Sequence, residues 1–211
     1  MAMNRFPITN VVGDLVDQHR DPDEKLYASL ELNQVAFPKT GMVVSQTPLG
    51  EAFTKAAPCE NGMWVVGDKA AGAINPPEAA TDAPIGIVYT TEKEYDREHY
   101  GLQRFGRKIA GDYPRVGLLG VGDTVTTNCL QYNTSTFADN DALIAALKKD
   151  LTVAANALYV RIPTGATGSA KAVPEIVKAA GIPASGIYGK IVKFYTVPNG
   201  GIGVKYQIIR L

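Results

Sequence analysis

The side chains that would form a thiol nucleophile and its base are few in this sequence: Cys59, Cys129, His19 and His99. A cysteine becomes a strong nucleophile when a base lies beside its thiol. Both histidines stand among charged residues, and no spacing places either of them next to a cysteine. We therefore predict two free, buried thiols with no basic group near enough to lower their pKa. A cysteine-dependent hydrolase is the alternative, because folding can bring distant residues together.

Two glycine-containing stretches have a superficial likeness to phosphate-binding loops. In residues 115–132, Gly120 and Gly122 precede a β-branched run, where a dinucleotide-binding loop has a third glycine and a helix. In residues 165–171, the spacing of glycines and lysine is wrong for a phosphate loop, and no Ser or Thr follows the lysine. The sequence also lacks the paired spacing of Cys or His that zinc sites use. We predict no catalytic, cofactor-binding or metal-binding residues, no cofactor and no enzymatic activity.

Two segments have the residues expected of protein contacts. Residues 1–40 contain apolar side chains with few partners inside the segment, which suits an arm that orders on a neighbouring protein. Residues 91–112 alternate acids with bases, which favours local ion pairs over a carboxylate cluster for a metal, and they end in a small basic patch. The candidate contact residues are Leu26, Tyr27, Leu30, Leu32, Val35, Phe37, Arg104, Phe105 and Arg107.

The composition predicts a folded protein without a long-range electrostatic target. Of 211 residues, 45% are hydrophobic and 20% charged, and Lys plus Arg equals Asp plus Glu at 21 each. A packed core is expected, and net charge favours neither nucleic acid nor an anionic membrane. No apolar run approaches the roughly 18 residues of a membrane span. Because the first ten residues lack the pattern of a signal peptide, we expect synthesis in the cytoplasm.

The elements that would position these residues are mostly short strands between Gly- and Pro-rich turns. Residues 115–132 are predicted to form one long strand, or two, kinked at residues 120–123. Residues 139–149 have a capping Asp or Asn and an apolar face, which predicts a helix. Residues 173–180 fit a short helix or a turn broken by a proline. The runs at residues 189–197 and 202–211, separated by Asn-Gly-Gly, predict a C-terminal β-hairpin.

These elements predict a mainly β fold, a barrel or sandwich-like body with one or two short helices, and an α+β protein as a whole. We divide it into an N-terminal arm (residues 1–40), a β-rich body (41–132) and an α+β C-terminal domain that ends in the hairpin (133–211).

Three segments resemble the structural proteins of tailed-phage virions, in particular small capsid decoration (cement) and minor head proteins. They are CENGMWVV at residues 59–66, APIGIVYTTE at 83–92 and VGDTVTTN at 121–128, together with the C-terminal hairpin. The resemblance implies a non-enzymatic structural protein of the virion, made in the host cytoplasm. Its expected partners are the major capsid protein or another virion protein and further copies of itself on a symmetric lattice, with no membrane and no direct nucleic-acid contact. A tail or fibre-anchor component is the alternative within the same class.

Overall fold

β-Strands dominate the residues that the computed structural model describes, which are 2–6, 43–44, 46–66, 72–79, 84–89, 109–196 and 202–211. In chain order the strands are β1 (Met3–Arg5), β2 (Val43–Val44), β3 (Trp64–Val66), β4 (Ile85–Val88), β5 (Val116–Leu118), β6 (Thr124–Thr127), β7 (Gln131–Asn133), β8 (Leu158–Arg161), β9 (Glu175–Lys178), β10 (Tyr188–Thr196) and β11 (Ile202–Arg210). These residues also contain one α-helix, α1 (Asn140–Leu147), and 3-10 helices at Ala154–Asn156, Gly168–Ala172 and Ala179–Gly181. The prediction of a mainly β fold with few helices is confirmed.

The larger sheet has seven strands in the order β1-β7-β9-β8-β10-β11-β6, and its neighbours are antiparallel except for the pair β7 and β9. Residues 128–130 alone connect β6 to β7, although five strand intervals separate these strands in the sheet. Five intervals of a flat sheet span about 24 Å, whereas the chain from Thr127 to Gln131 reaches about 14 Å at most. The sheet must therefore curl until β6 and β7 come close, as strands do in a barrel.

The smaller sheet has the antiparallel order β2-β5-β4-β3 and is buried on both faces. Trp64 and Ile87 are paired across β3 and β4 and belong to the larger core, whereas Val65 and Val88 belong to the smaller one. This alternation follows from the two-residue period of a strand. The sheet is thus a layer between two apolar clusters.

The larger core fills the space inside the curled sheet. It contains inward side chains of that sheet such as Val160 and Ile191, together with Leu143 and Leu147 of α1, and Trp64 of the smaller sheet. The smaller core contains Leu49, Phe53, Cys59, Met63, Val65, Ile74, Val88, Val116, Cys129, Ala172 and Val173. Side chains of the smaller sheet reach both cores, so the two sheets share one continuous interior.

The predicted helix near residues 139–149 is confirmed as α1. Asp139 caps it, because its side chain accepts a hydrogen bond from the backbone N–H of Ala142 at 2.8 Å. Leu143 and Leu147, four residues apart on one face, are both buried. The local sequence therefore decides where this helix begins and which face it turns inward.

The predicted C-terminal hairpin is also confirmed, because β10 and β11 pair in antiparallel register. Val204, Tyr206 and Ile208 alternate along β11 and are each fully buried. Both strands lie inside the larger sheet, where β10 also pairs with β8 and β11 with β6. The hairpin is part of the core structure.

Residues 173–180 form a strand, so the expectation of a helix or turn there is wrong. Pro174 precedes β9, and Ile176 and Val177 within it are β-branched, which favours extended backbone. The strand pairs in parallel with β7 and antiparallel with β8. Tertiary pairing with two neighbours thus outweighs the weak helical signal of the alanines that follow.

The predicted kink in residues 115–132 is real but is a full break between sheets. β5 lies in the smaller sheet and β6 in the larger one, with a turn at residues 120–123 between them. The Asp123 carboxylate accepts a hydrogen bond from the Gly120 N–H at 2.6 Å and holds this turn closed. A second break at residues 128–130, which the sequence did not predict, separates β6 from β7.

Substitution of Gly62 tests how closely the turn before β3 approaches the larger sheet. Gly62 has φ +91, and a Cβ there would lie 2.6 Å from the Cys129 Cβ and 2.7 Å from the Thr127 Oγ1. We expect Gly62→Ala to lower the free energy of unfolding by about 2–4 kcal/mol, since backbone strain and overpacking add.

Gly122→Ala is the matched control, because Gly122 has φ +97 but open space where the methyl group of alanine would lie, so only strain of about 1–2 kcal/mol applies. Urea unfolding of both variants measures the difference. Equal losses in the two variants would contradict the close approach.

Candidate functional site

The most constrained part of the molecule is the buried junction between the two sheets. Asn128, Cys129 and Leu130, which connect β6 to β7, are each 0% exposed. The Cys129 N–H donates to the Thr127 Oγ1 at 2.9 Å, and the Leu130 carbonyl accepts from the Phe6 N–H at 2.9 Å. One short connection therefore contacts β6, the segment after β1 and the turn at Gly62.

An ion pair joins the two sheets at this junction. Arg5 of β1 donates from Nη1 to Glu60 Oε1 at 3.3 Å and from Nη2 to Glu60 Oε2 at 3.1 Å. Glu60 precedes β3 and is 9% exposed, so its charge is largely removed from water. The two-pronged geometry compensates that carboxylate and fixes β1 relative to the smaller sheet.

The structure corrects the prediction that no basic group lies near either thiol, because Arg5 interacts with Cys129. Burial raises the pKa of Cys129 to about 12, although the nearby Arg5 guanidinium acts to lower it, and the Glu60 carboxylate raises it further. The thiol is therefore protonated at neutral pH, and only a thiolate is strongly nucleophilic. Both cysteines are free and buried, as predicted.

Trp64 forms a second link between the sheets. Its indole N–H donates to the hydroxyl of Tyr206 in β11 at 2.9 Å, and the rings meet edge to face with centroids 5.9 Å apart. Burial raises the pKa of Tyr206 well above its ordinary range, which keeps the phenol neutral. The prediction that Trp64 lies in the core is confirmed, since it is 1% exposed.

A second buried carboxylate lies near the parallel strand pair and also has an arginine partner. Glu175 of β9 is 1% exposed, and its Oε2 accepts from Arg161 Nε at 3.1 Å. Arg161 also donates to the Gly181 carbonyl at 3.0 Å and to the Thr164 Oγ1 at 2.9 Å. Nearby, Gln131 Nε2 donates to the Ala170 and Val173 carbonyls at 2.7 and 2.5 Å. These groups hold the backbone on either side of β9.

Sequence reasoning missed both ion pairs. The partners in Arg5–Glu60 are 55 positions apart and those in Arg161–Glu175 are 14 apart, so no local spacing connects them. The available signal was a single charged residue inside an apolar strand, as in LYVR of β8 and EIVK of β9. A charge in such a position needs a partner, because an unpaired buried charge is costly.

Within the described ranges, no group of three or more His, Cys, Asp or Glu is arranged to hold a metal ion. In the same ranges, no helix is both long and apolar enough to cross a membrane. A shallow depression of about 250 Å³ lies between α1 and β9 and is lined mostly by alanines, with Lys149 and Lys178 at its margin. It contains none of the predicted contact residues.

The nine predicted contact residues and both histidines lie outside the described residues. They are Leu26, Tyr27, Leu30, Leu32, Val35, Phe37, Arg104, Phe105 and Arg107, with His19 and His99. No protein-family model, no curated protein and no solved structure matches the chain. The resemblance to virion proteins thus rests on the sequence segments alone.

The raised pKa of Cys129 predicts a pH dependence of stability. Above pH 9.0 the thiol of the unfolded chain loses its proton, while the folded thiol keeps its proton up to about pH 12. The unfolded state then binds fewer protons, so the free energy of unfolding falls by up to about 1.4 kcal/mol per pH unit.

Urea unfolding between pH 9 and 10 measures this slope, in a window below the ordinary pKa of tyrosine, 10.0. Cys129→Ala should flatten it, whereas the control Cys59→Ala retains Cys129 and should keep it. An unchanged slope in Cys129→Ala would mean that the thiol is not the group responsible.

Proposed function

We propose that the protein is a non-enzymatic structural component of a tailed-phage virion that binds and stabilises the capsid, as a decoration or minor head protein. The resemblance of residues 59–66, 83–92 and 121–128 to such proteins motivates the proposal, and the β-rich fold is consistent with it. A tail or fibre-anchor position in the same virion is the second candidate. The protein's setting in this proposal is the virion, after synthesis in the host cytoplasm.

The observation that carries the proposal is the length of two connections between strands. β4 and β5 are adjacent and antiparallel, yet residues 89–115, 27 in number, connect them. β1 and β2 are connected by residues 6–42, 37 in number. Two to five residues suffice to join neighbouring antiparallel strands, and much longer connections in compact domains usually have a function. Every predicted contact residue lies in one of these two connections.

The first connection is fixed at both of its ends. Before it, Arg5 pairs with Glu60 and Phe6 is 1% exposed in the larger core. After it, Val43 and Val44 pair with β5. Residues 2–6 of the predicted arm thus belong to the body, and contacts made by the rest would be tethered to the body on two sides. Such tethering lowers the entropy lost on binding.

The chemistry of the buried groups weighs against the alternative of a cysteine-dependent hydrolase. Cys129 is 0% exposed, and its thiol is protonated at neutral pH because burial raises its pKa. The buried carboxylates of Glu60 and Glu175 are each compensated by an arginine. In this proposal these groups hold sheets together. Attachment would depend instead on many modest contacts, which a symmetric lattice strengthens by raising the effective concentration of neighbouring sites.

The test must leave residues 2–6 intact, because removing Arg5 and Phe6 would damage the body itself. In one variant, serine replaces the apolar contact residues of the first connection, which are Leu26, Tyr27, Leu30, Leu32, Val35 and Phe37. In a second variant, Arg104→Glu, Phe105→Ala and Arg107→Glu change the other connection. In the control, Tyr113→Ser and Val153→Ser remove exposed apolar side chains, 59% and 48% exposed, elsewhere on the surface.

Each protein is mixed with virion shells that lack it, and bound protein is counted by quantitative mass spectrometry. We expect at least about a tenfold loss of shell affinity in either variant, since each loses several contacts of about 1 kcal/mol, and no loss in the control. Variants that bind like the wild type would remove these residues from the contact surface. A wild-type protein that binds no shell and is absent from particles would overturn the proposal, and a low copy number would favour the tail or anchor position.

A further inference from the structure

The chain has zero net charge but is strongly divided in charge along its length. Residues 142–211 contain nine Lys or Arg and two Asp or Glu, whereas residues 1–141 contain twelve and nineteen. The last third is therefore net positive by seven, and the first two thirds are net negative by seven. Such asymmetry within one chain favours contacts between its unlike parts, either within a molecule or between molecules.

The positive charge is concentrated on the outer face of the β10–β11 hairpin. Neither strand contains an Asp or Glu. Lys193 lies directly opposite Lys205, and Lys190 lies opposite Gln207, one pair further along the ladder on the same outer side. Among the described residues, no carboxylate lies within ion-pair distance of Lys190 or Lys205.

The outer face also carries exposed apolar groups because the ladder is irregular. The register shifts between Ile191 and Lys193, so Val192 has no partner on β11 and turns outward beside Lys193. A second shift near Gly189 leaves Ile209 outside the ladder in the same way. Val192 is 46% exposed and Ile209 is 39% exposed. We call these two residues with Lys190, Lys193 and Lys205 the hairpin face.

The hairpin face fits an acidic protein surface better than a nucleic acid. Binding to single strands uses exposed aromatic rings and arginines along a cationic groove. Here the guanidinium of Arg210 already donates to the carbonyls of Gly186 and Pro183, and it lies over the ring of Tyr188 at 4.7 Å. What is exposed is lysine and aliphatic surface. Facing lysines in neighbouring strands repel each other, and a carboxylate placed between them relieves that repulsion.

We propose that the hairpin face binds a second copy of this chain, through the acidic surface formed by the copy's first 141 residues. The two surfaces differ, so the contact is head-to-tail and extends from copy to copy until it closes into a ring or continues as a lattice. The inference rests on the proposed function for its setting, because decoration of a shell brings many copies side by side. Its test uses purified protein without shells, so either proposal can fail while the other stands.

The test reverses charge on the hairpin face with Lys190→Glu, Lys193→Glu and Lys205→Glu in one protein. The control, Lys55→Glu, Lys148→Glu and Lys149→Glu, changes the net charge equally at exposed lysines elsewhere. Sedimentation velocity over a range of concentrations, at about 50 and about 500 mM NaCl, measures association under weak and strong screening. A triple Lys→Gln variant of the face provides a second measurement without added negative charge.

We expect wild type and control to associate at low salt and to dissociate at high salt. The face variants should bind themselves at least about tenfold more weakly. A face variant should still join wild-type molecules in mixed dimers, because its acidic surface is intact. Wild type that stays monomeric at every concentration, or face variants that associate as well as wild type, would overturn the proposal. Binding of a single-stranded DNA of about 20 nucleotides by wild type, lost in the face variant without any self-association, would also overturn it.

Discussion

The rest of this structure depends on three buried residues, 128–130, that connect β6 to β7. Because the connection is so short, the seven-stranded sheet has to curl, and its curled interior becomes the larger core. The same residues form the surface on which the Gly62 turn of the smaller sheet rests. One covalent constraint thus determines the curvature of one sheet and the position of the other.

Polar contacts around this connection turn proximity into a defined arrangement. The Arg5–Glu60 pair and the Trp64–Tyr206 hydrogen bond each link one sheet to the other at a buried position. Buried groups of this kind are costly when a partner is missing, so they favour the one packing in which every partner is present. The same chemistry makes the junction a poor catalytic site, since its carboxylate is neutralised and its thiol is protonated. Contacts with other proteins are then expected at the periphery of the fold, in its long connections and on the hairpin face.

Sequence alone predicted the features that local residues determine. Asp139 and the spacing of Leu143 and Leu147 locate α1, and the Asn-Gly-Gly turn with its flanking alternation locates the hairpin. It failed at β9, whose strand character depends on pairing with β7 and β8 from other parts of the chain. It also failed to place Arg5 beside Glu60 and Cys129, because no short-range pattern records which distant strands meet. The contact residues proposed within residues 26–37 and 104–107 stay predictions.

The central claim is that the two sheets are one cooperative unit, held together at residues 128–130. Native-state amide hydrogen exchange tests it most directly, because it measures the free energy of opening at each strand. Slow amides of β4 in the smaller sheet and of β10 in the larger sheet should exchange with the same free energy, equal to that of global unfolding. If the amides of β4 exchange through an opening of distinctly lower free energy while β10 stays protected, the smaller sheet opens on its own and the claim is wrong.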